Sequence, residues 1–170
     1  MKVIFSHGKE SGPWGSKIKA LAKIAEKLGY EVASIDYSGI ESPDKRVQKL
    51  TTYLTNEKSS YLLVGSSMGG YVSLVCAQLH KNNALLQGVF LLAPALYMTD
   101  YKEQKYKAMP NIEIVHGWSD DIIPVEHSIK YAQRAKCSLH LIEGDHRLNS
   151  SLPQVIQLFE FFLKRINTIK

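Results

Sequence analysis

The chain has 170 residues, of which 45% are hydrophobic and 22% charged, with a formal net charge of +5. That length suits a single domain spanning 1–170, able to bury about 70% of its unfolded surface without disulfide staples. The composition excludes a disordered or fibrous chain, and no apolar stretch approaches the length of a bilayer span, so no membrane insertion is expected.

The first strand-like run is 2–6, and no basic-then-apolar leader precedes it. The expectation is a protein without a secretory signal. The two cysteines, Cys76 and Cys137, do not make a disulfide framework. They suit a reducing compartment such as the cytoplasm, each as a small buried apolar residue. Basic residues are scattered along amphipathic stretches, as in Lys17, Lys19, Lys23 and Lys27. No aromatic-basic interleaving accompanies them, so nucleic acid is not an expected partner.

In chain order, β-branched and apolar runs at 2–6, 31–36, 61–65, 88–93, 112–116 and 138–143 predict six strands. Several are apolar on consecutive residues, such as Tyr61-Leu62-Leu63-Val64. Strands covered on both faces read this way. Helices are predicted between them. The first covers 16–28, with Ile18, Leu21, Ala22, Ala25 and Leu28 on one face and Gly29 as a left-handed stop. The second opens at Ser42-Pro43, an N-cap followed by proline, and buries Val47, Leu50 and Leu54. The third follows Ser67 and buries Tyr71, Leu74, Val75 and Leu79. The fourth starts near Pro124 and the fifth after Ser151. The polar, tyrosine-rich segment 94–110 reads as a loop with one short helix. Strands alternating with helices predict a three-layer α/β/α fold around a mostly parallel sheet.

The strongest local signal is Gly65-Ser66-Ser67-Met68-Gly69, a G-x-S-x-G pattern between a predicted strand and a predicted helix. Such a turn holds its serine in a strained conformation with the hydroxyl clear of the sheet, and its glycines let neighbouring backbones pass closely. A serine needs a base, and the base needs an orienting group. Of the six histidines, His146 lies in Gly144-Asp145-His146-Arg147, directly after the last predicted strand. In a parallel sheet that loop shares an edge with Ser67, where ligands bind. The acid should come from the loop after 112–116, where Asp120 and Asp121 both stand. Asp145 adjoins His146 and would struggle to reach around its ring. For an oxyanion hole, two backbone N–H groups are needed. Met68, after the serine, supplies one, and Lys9, in Ser6-His7-Gly8-Lys9, is the expected second. Trp118, Tyr97 and Tyr37 follow strands and could line the site, and Arg147 and the Lys9 side chain could favour an anionic substrate.

These stretches, His7-Gly8, Gly65-Ser66-Ser67-Met68-Gly69-Gly70, His116-Gly117-Trp118-Ser119-Asp120-Asp121-Ile122-Ile123-Pro124 and Gly144-Asp145-His146, resemble the α/β-hydrolase superfamily. The third resembles the frequent HGxxDxxVP stretch, and that resemblance places the acid at Asp120. The opening His7-Gly8 through Ser11, Pro13, Ser16 and Lys19-Ala20 is similar to small bacterial esterases of the YqiA-like group. The resemblance implies a minimal α/β-hydrolase fold. The first two strands of the full family sheet are missing, and the cap is reduced to 96–109. A small or absent lid implies short acyl esters, or exposed esters on larger molecules.

The expected activity is that of a serine hydrolase cleaving carboxylic esters or thioesters (EC 3.1) through an acyl-enzyme on Ser67, with His146 and Asp120 completing the triad and no metal or organic cofactor. The rivals are amide or lyase chemistry on the same triad, and a non-catalytic small-molecule-binding protein on the same fold. The expected partner is a small ester or thioester, with the oligomeric state open.

Overall fold

The structure is a computed structural model and describes residues 1–168. Residues 169–170, the end of the domain range read above, lie outside the described residues. The strands are β1 (Lys2–Ser6), β2 (Glu31–Ile35), β3 (Tyr61–Ser66), β4 (Leu86–Leu92), β5 (Ile112–Gly117) and β6 (Ser138–Ile142). The helices are α1 (Ser16–Lys27), α2 (Pro43–Thr55), α3 (Met68–Leu79), α4 (Val125–Ala135) and α5 (Leu152–Thr168). All strands join one sheet in the order β2-β1-β3-β4-β5-β6, and every neighbouring pair is parallel.

The consecutive apolar runs are explained by two cores, one on each face. Val3 and Phe5 of β1 face a core with Leu21 and Ala25 of α1 and Val155, Phe159 and Phe162 of α5. Ile4, between them in sequence, faces the opposite core, with Leu50 of α2, Tyr71 and Leu74 of α3 and Tyr131 of α4. The two-residue period of a strand thus feeds both layers of an α/β/α sandwich.

Local signals act as the sequence suggests. Gly29 has φ +82 after α1. The Ser42 hydroxyl accepts from Lys45 N at 3.3 Å at the start of α2, a cap worth about 1 kcal/mol. Leu79, expected in the core, is 65% exposed, because it falls in the last turn of α3, beyond the sheet's cover.

Segment 94–110 contains no helix, contrary to expectation. Its rings take over the packing that a helix would provide. Tyr106 is fully buried and meets Tyr97 at 5.0 Å and Tyr131 of α4 at 6.1 Å, while Tyr101 meets Tyr71 of α3 at 4.7 Å, all edge to face. Such pairs each contribute about 0.5–1.5 kcal/mol beyond area burial.

In this sheet β2 lies on one side of β1 and β3 on the other. The loops leaving β1 and β3 therefore diverge at their carboxyl ends, towards α1 on one face and α3 on the other. That divergence opens a crevice, the usual ligand position in an open parallel sheet.

Candidate active site

Ser67 stands at this crevice, between β3 and α3, with φ 55 and ψ −122. A non-glycine residue there is strained, and the surroundings hold it. Its N–H donates to Leu92 O of β4 at 2.9 Å, and its carbonyl accepts from Gly70 N and Ala95 N. The turn is tight enough that a Cβ on Gly65 would press into the Gly69 carbonyl, and one on Gly69 into the Ser6 carbonyl. Only glycine fits at both places, which is the physical content of the G-x-S-x-G spacing.

The other two expected residues arrive from the loops after β5 and β6. Trp118 N donates to Ile142 O at 2.9 Å and Ser119 N to Gly144 O at 3.0 Å. These bonds tie the two loops together and bring Asp120 beside His146. The His146 Nδ1–Asp120 Oδ2 distance is 2.8 Å, and His146 Nε2 lies 2.9 Å from the Ser67 hydroxyl. Ser67, His146 and Asp120 thus form one continuous chain of hydrogen bonds.

Asp120 is anchored on both oxygens. Oδ1 accepts from Ile122 N at 2.9 Å and Ile123 N at 2.8 Å. Oδ2 accepts from His146 and also from His116 Nε2, at 2.9 Å. Burial alone would push this carboxyl up, but the hydrogen bonds from His116, His146 and the two backbone N–H groups hold it well below the ordinary carboxylate range. An ionised Asp120 can only accept, so Nδ1 of His146 carries the proton and Nε2 turns its lone pair to Ser67.

His116 opens the HGxxDxxVP-like stretch, yet no role in the site is expected of it from the sequence. Its Nε2 faces two acceptors, Asp120 Oδ2 and Ile123 O, so Nε2 carries a proton. Nδ1 lies 2.7 Å from the Ser128 hydroxyl. The ring is fully buried, and its place at the head of that stretch, four residues before Asp120, is the signal that points to it.

Asp121 is exposed, and Asp145 turns to its own loop, accepting from Arg147 N and Leu148 N. Neither touches His146, so Asp120 alone among the three candidate acids meets the ring. Lys17 of α1 donates to Arg147 O at 2.9 Å and props the His146 loop. Burial pushes the Lys17 ammonium down to about 8, against the pull of Asp145 and Asp120.

The two expected N–H donors stand on the Ser67 turn and on the β1 loop packed beside it. Met68 is the first residue of α3, so its N–H has no acceptor within the helix. Lys9 follows Gly8, whose position lies against Ser67: a Cβ there would sit 3.4 Å from the Ser67 Cβ. Neither N–H has a protein acceptor among the described residues.

The three aromatic residues expected to line the site take different places. Tyr37 is fully buried, its hydroxyl 2.9 Å from Ser6 Oγ. Tyr97 packs against His127 and under Lys130 Nζ, on the α4 side. Trp118 is 58% exposed, as is Ile122 at 59%, and these two bracket Asp120 in the β5–α4 loop. A cleft of about 350 Å³ lies beside the β1 loop, lined by His7, Lys9, Ser11, Tyr37, Ile40 and Arg46. A larger depression of about 490 Å³ lies at the starts of β5 and β6, the opposite edge of the sheet, and plays no part in this site.

Comparison with known proteins places this architecture. A candidate hydrolase of the alpha/beta superfamily from Xanthomonas campestris pv. campestris is 28% identical with a TM-score of 0.85, over 96% of this chain and 97% of that one. Est1E from Butyrivibrio proteoclasticus is 17% identical with a TM-score of 0.82, over 98% of this chain and 88% of that one. An alpha/beta serine hydrolase without a lid, also from Xanthomonas campestris, is 16% identical with a TM-score of 0.73, over 96% of this chain and 81% of that one. The sheet order, the elbow serine and these likenesses define the class: this is a protein of the α/β-hydrolase fold. More narrowly, residues 2–106, over half of the chain, match the family described as Uncharacterised protein family UPF0227, and the chain belongs to that family. Among curated proteins, nothing matches.

Proposed function

We propose that this chain is a serine hydrolase that cleaves carboxylic esters or thioesters through an acyl-enzyme on Ser67. The observation that carries the proposal is the unbroken relay from Ser67 Oγ through His146, at 2.9 Å, to Asp120, at 2.8 Å, on a serine with φ 55. A strained serine, an imidazole with Nδ1 on a carboxylate and Nε2 on that serine, and a carboxyl held low by its donors come from three separate loops, which supports this reading.

In this reading Ser67 Oγ attacks the carbonyl carbon and its proton passes to His146 Nε2. The N–H groups of Met68 and Lys9 hold the oxyanion. Collapse of the tetrahedral species breaks the bond to the alcohol or thiol, which leaves with the proton from His146. Water then attacks the acyl-enzyme, giving its proton to His146, and the acid departs as that proton returns to Ser67. Asp120 fixes the tautomer and stabilises the imidazolium throughout. Ser67 and His146 are only half-buried, which supports short acyl esters, or exposed esters on larger molecules, as substrates. The two free cysteines support action in a reducing compartment such as the cytoplasm; burial pushes the Cys76 thiol up to about 12, which leaves it inert.

The test is a fluorophosphonate probe followed by intact mass and adduct mapping, together with a panel of nitrophenyl esters and thioesters. A single adduct on Ser67, absent from Ser67→Ala and His146→Ala, is expected, and esterase turnover in Ser67→Ala should fall by at least about 10³-fold. A folded protein that takes no adduct would overturn the proposal in favour of a binding role.

A further inference from the structure

Arg46 of α2 is only 3% exposed and makes no salt bridge among the described residues. Leaving a guanidinium out of water without a carboxylate is costly unless its donors are used. Here they go to three carbonyls. Nε donates to Ile40 O at 2.6 Å, and Nη1 donates to His7 O at 3.2 Å and Gly8 O at 3.1 Å. The guanidinium also lies 5.1 Å from the centre of the Tyr37 ring.

The Gly8 carbonyl has a second donor. Tyr37 N donates to His7 Nε2 at 3.0 Å, so that nitrogen carries the lone pair and Nδ1 carries the proton. His7 Nδ1–H then donates to Gly8 O at 2.7 Å. Burial holds the ring in its neutral form, pushing its pKa below the ordinary value. One carbonyl oxygen is thus held by a cation and by an imidazole of fixed tautomer.

The peptide that follows is trans, as the described chain contains no cis bond. In a trans peptide the N–H points opposite to the C=O of the preceding residue. Holding Gly8 C=O towards Arg46 therefore turns Lys9 N–H away from it, on the residue after Gly8, where an added Cβ would lie 3.4 Å from the Ser67 Cβ. We infer that Arg46, with His7, is a positioning residue that sets the direction of the Lys9 N–H for the oxyanion. This rests on the hydrolase reading and adds a part to it. Without the clamp the 7–9 peptides can rotate, and the donor is lost from the transition state while the ground-state complex is little affected. A misplacement of about 1 Å costs on the order of 10²-fold in such a setting.

The experiment compares wild type with Arg46→Ala and Arg46→Gln by esterase kinetics, melting temperature and ¹⁵N spectra before and after phosphonylation. The expected result is a kcat lowered by about 10- to 100-fold with KM changed by less than about threefold. Methylguanidinium, which fits the space vacated in Arg46→Ala, should restore part of kcat there and none in Ser67→Ala. The Lys9 amide proton should shift downfield on phosphonylation of wild type and much less in the variants. Arg46→Gln keeps the site polar and filled, so it serves even if the alanine variant does not fold. Wild-type kcat and a wild-type Lys9 shift in either folded variant would overturn the inference. A wild-type protein that takes no label on Ser67 would overturn the hydrolase reading along with it, so the two failures are distinguishable.

Discussion

Asp120 carries more of the site than its proposed catalytic role requires. Four donors converge on its two oxygens, and the side chain is fully shielded from water. Its ordinary pKa is 3.8 and the folded environment depresses it. A depressed acid stabilises the fold above its ordinary pKa and loses that contribution as the pH falls through the lowered value. The melting temperature of wild type should therefore exceed that of Asp120→Asn most at neutral pH. The gap should narrow from about pH 4 to about pH 2; a gap that stays constant over this range would mean that the charge of Asp120 is not what holds the loop. At this scale the three expected residues were legible because each chemistry restricts its residue types and their places after strands. His116 and Arg46 were not. A histidine ending a strand looks structural, and Arg46 stands among Lys45 and Lys49 on an amphipathic helix, where one basic side chain among several carries no mark of being buried.

Among elements, the strands were legible to within two residues at their ends, since burial on both faces leaves continuous apolar runs. The helices followed from caps and stops. Segment 94–110 is the expected loop without its expected short helix: Tyr97 and Tyr101 stand four apart, a helical spacing, and nothing local reveals that the tyrosines pack ring against ring on α3 and α4 instead. The turn at Ser67 leaves little room for change. Gly69→Ala would drive a methyl group into the Ser6 and His7 carbonyls, forcing apart the elbow and the β1 loop. We expect a loss of about 1–3 kcal/mol of stability, read from urea unfolding, and a fall in the rate of Ser67 labelling. Gly12→Ala, which meets nothing within 4 Å, is the control and should change neither. Equal behaviour of the two variants would show that the elbow has more slack than its geometry indicates.

For the whole molecule, the order β2-β1-β3-β4-β5-β6 explains why Ser67, Asp120 and His146 converge. All strands point the same way, so every loop that carries a site residue leaves the same edge. This was legible from the alternation of strands and helices, whereas the strand order itself was not, because no local pattern records which strands become neighbours. Six strands, with no helix in segment 94–110, leave Ser67 half-buried at the crevice.

That segment has a kinetic consequence. A strap whose rings are wedged against two helices is tied down at each of them, and it has no amphipathic helix to lay on an oil surface. Enzymes that do possess such a movable cover respond sharply when their substrate begins to form droplets. Here hydrolysis of a short-chain triglyceride should rise smoothly through the solubility limit, with no interfacial activation.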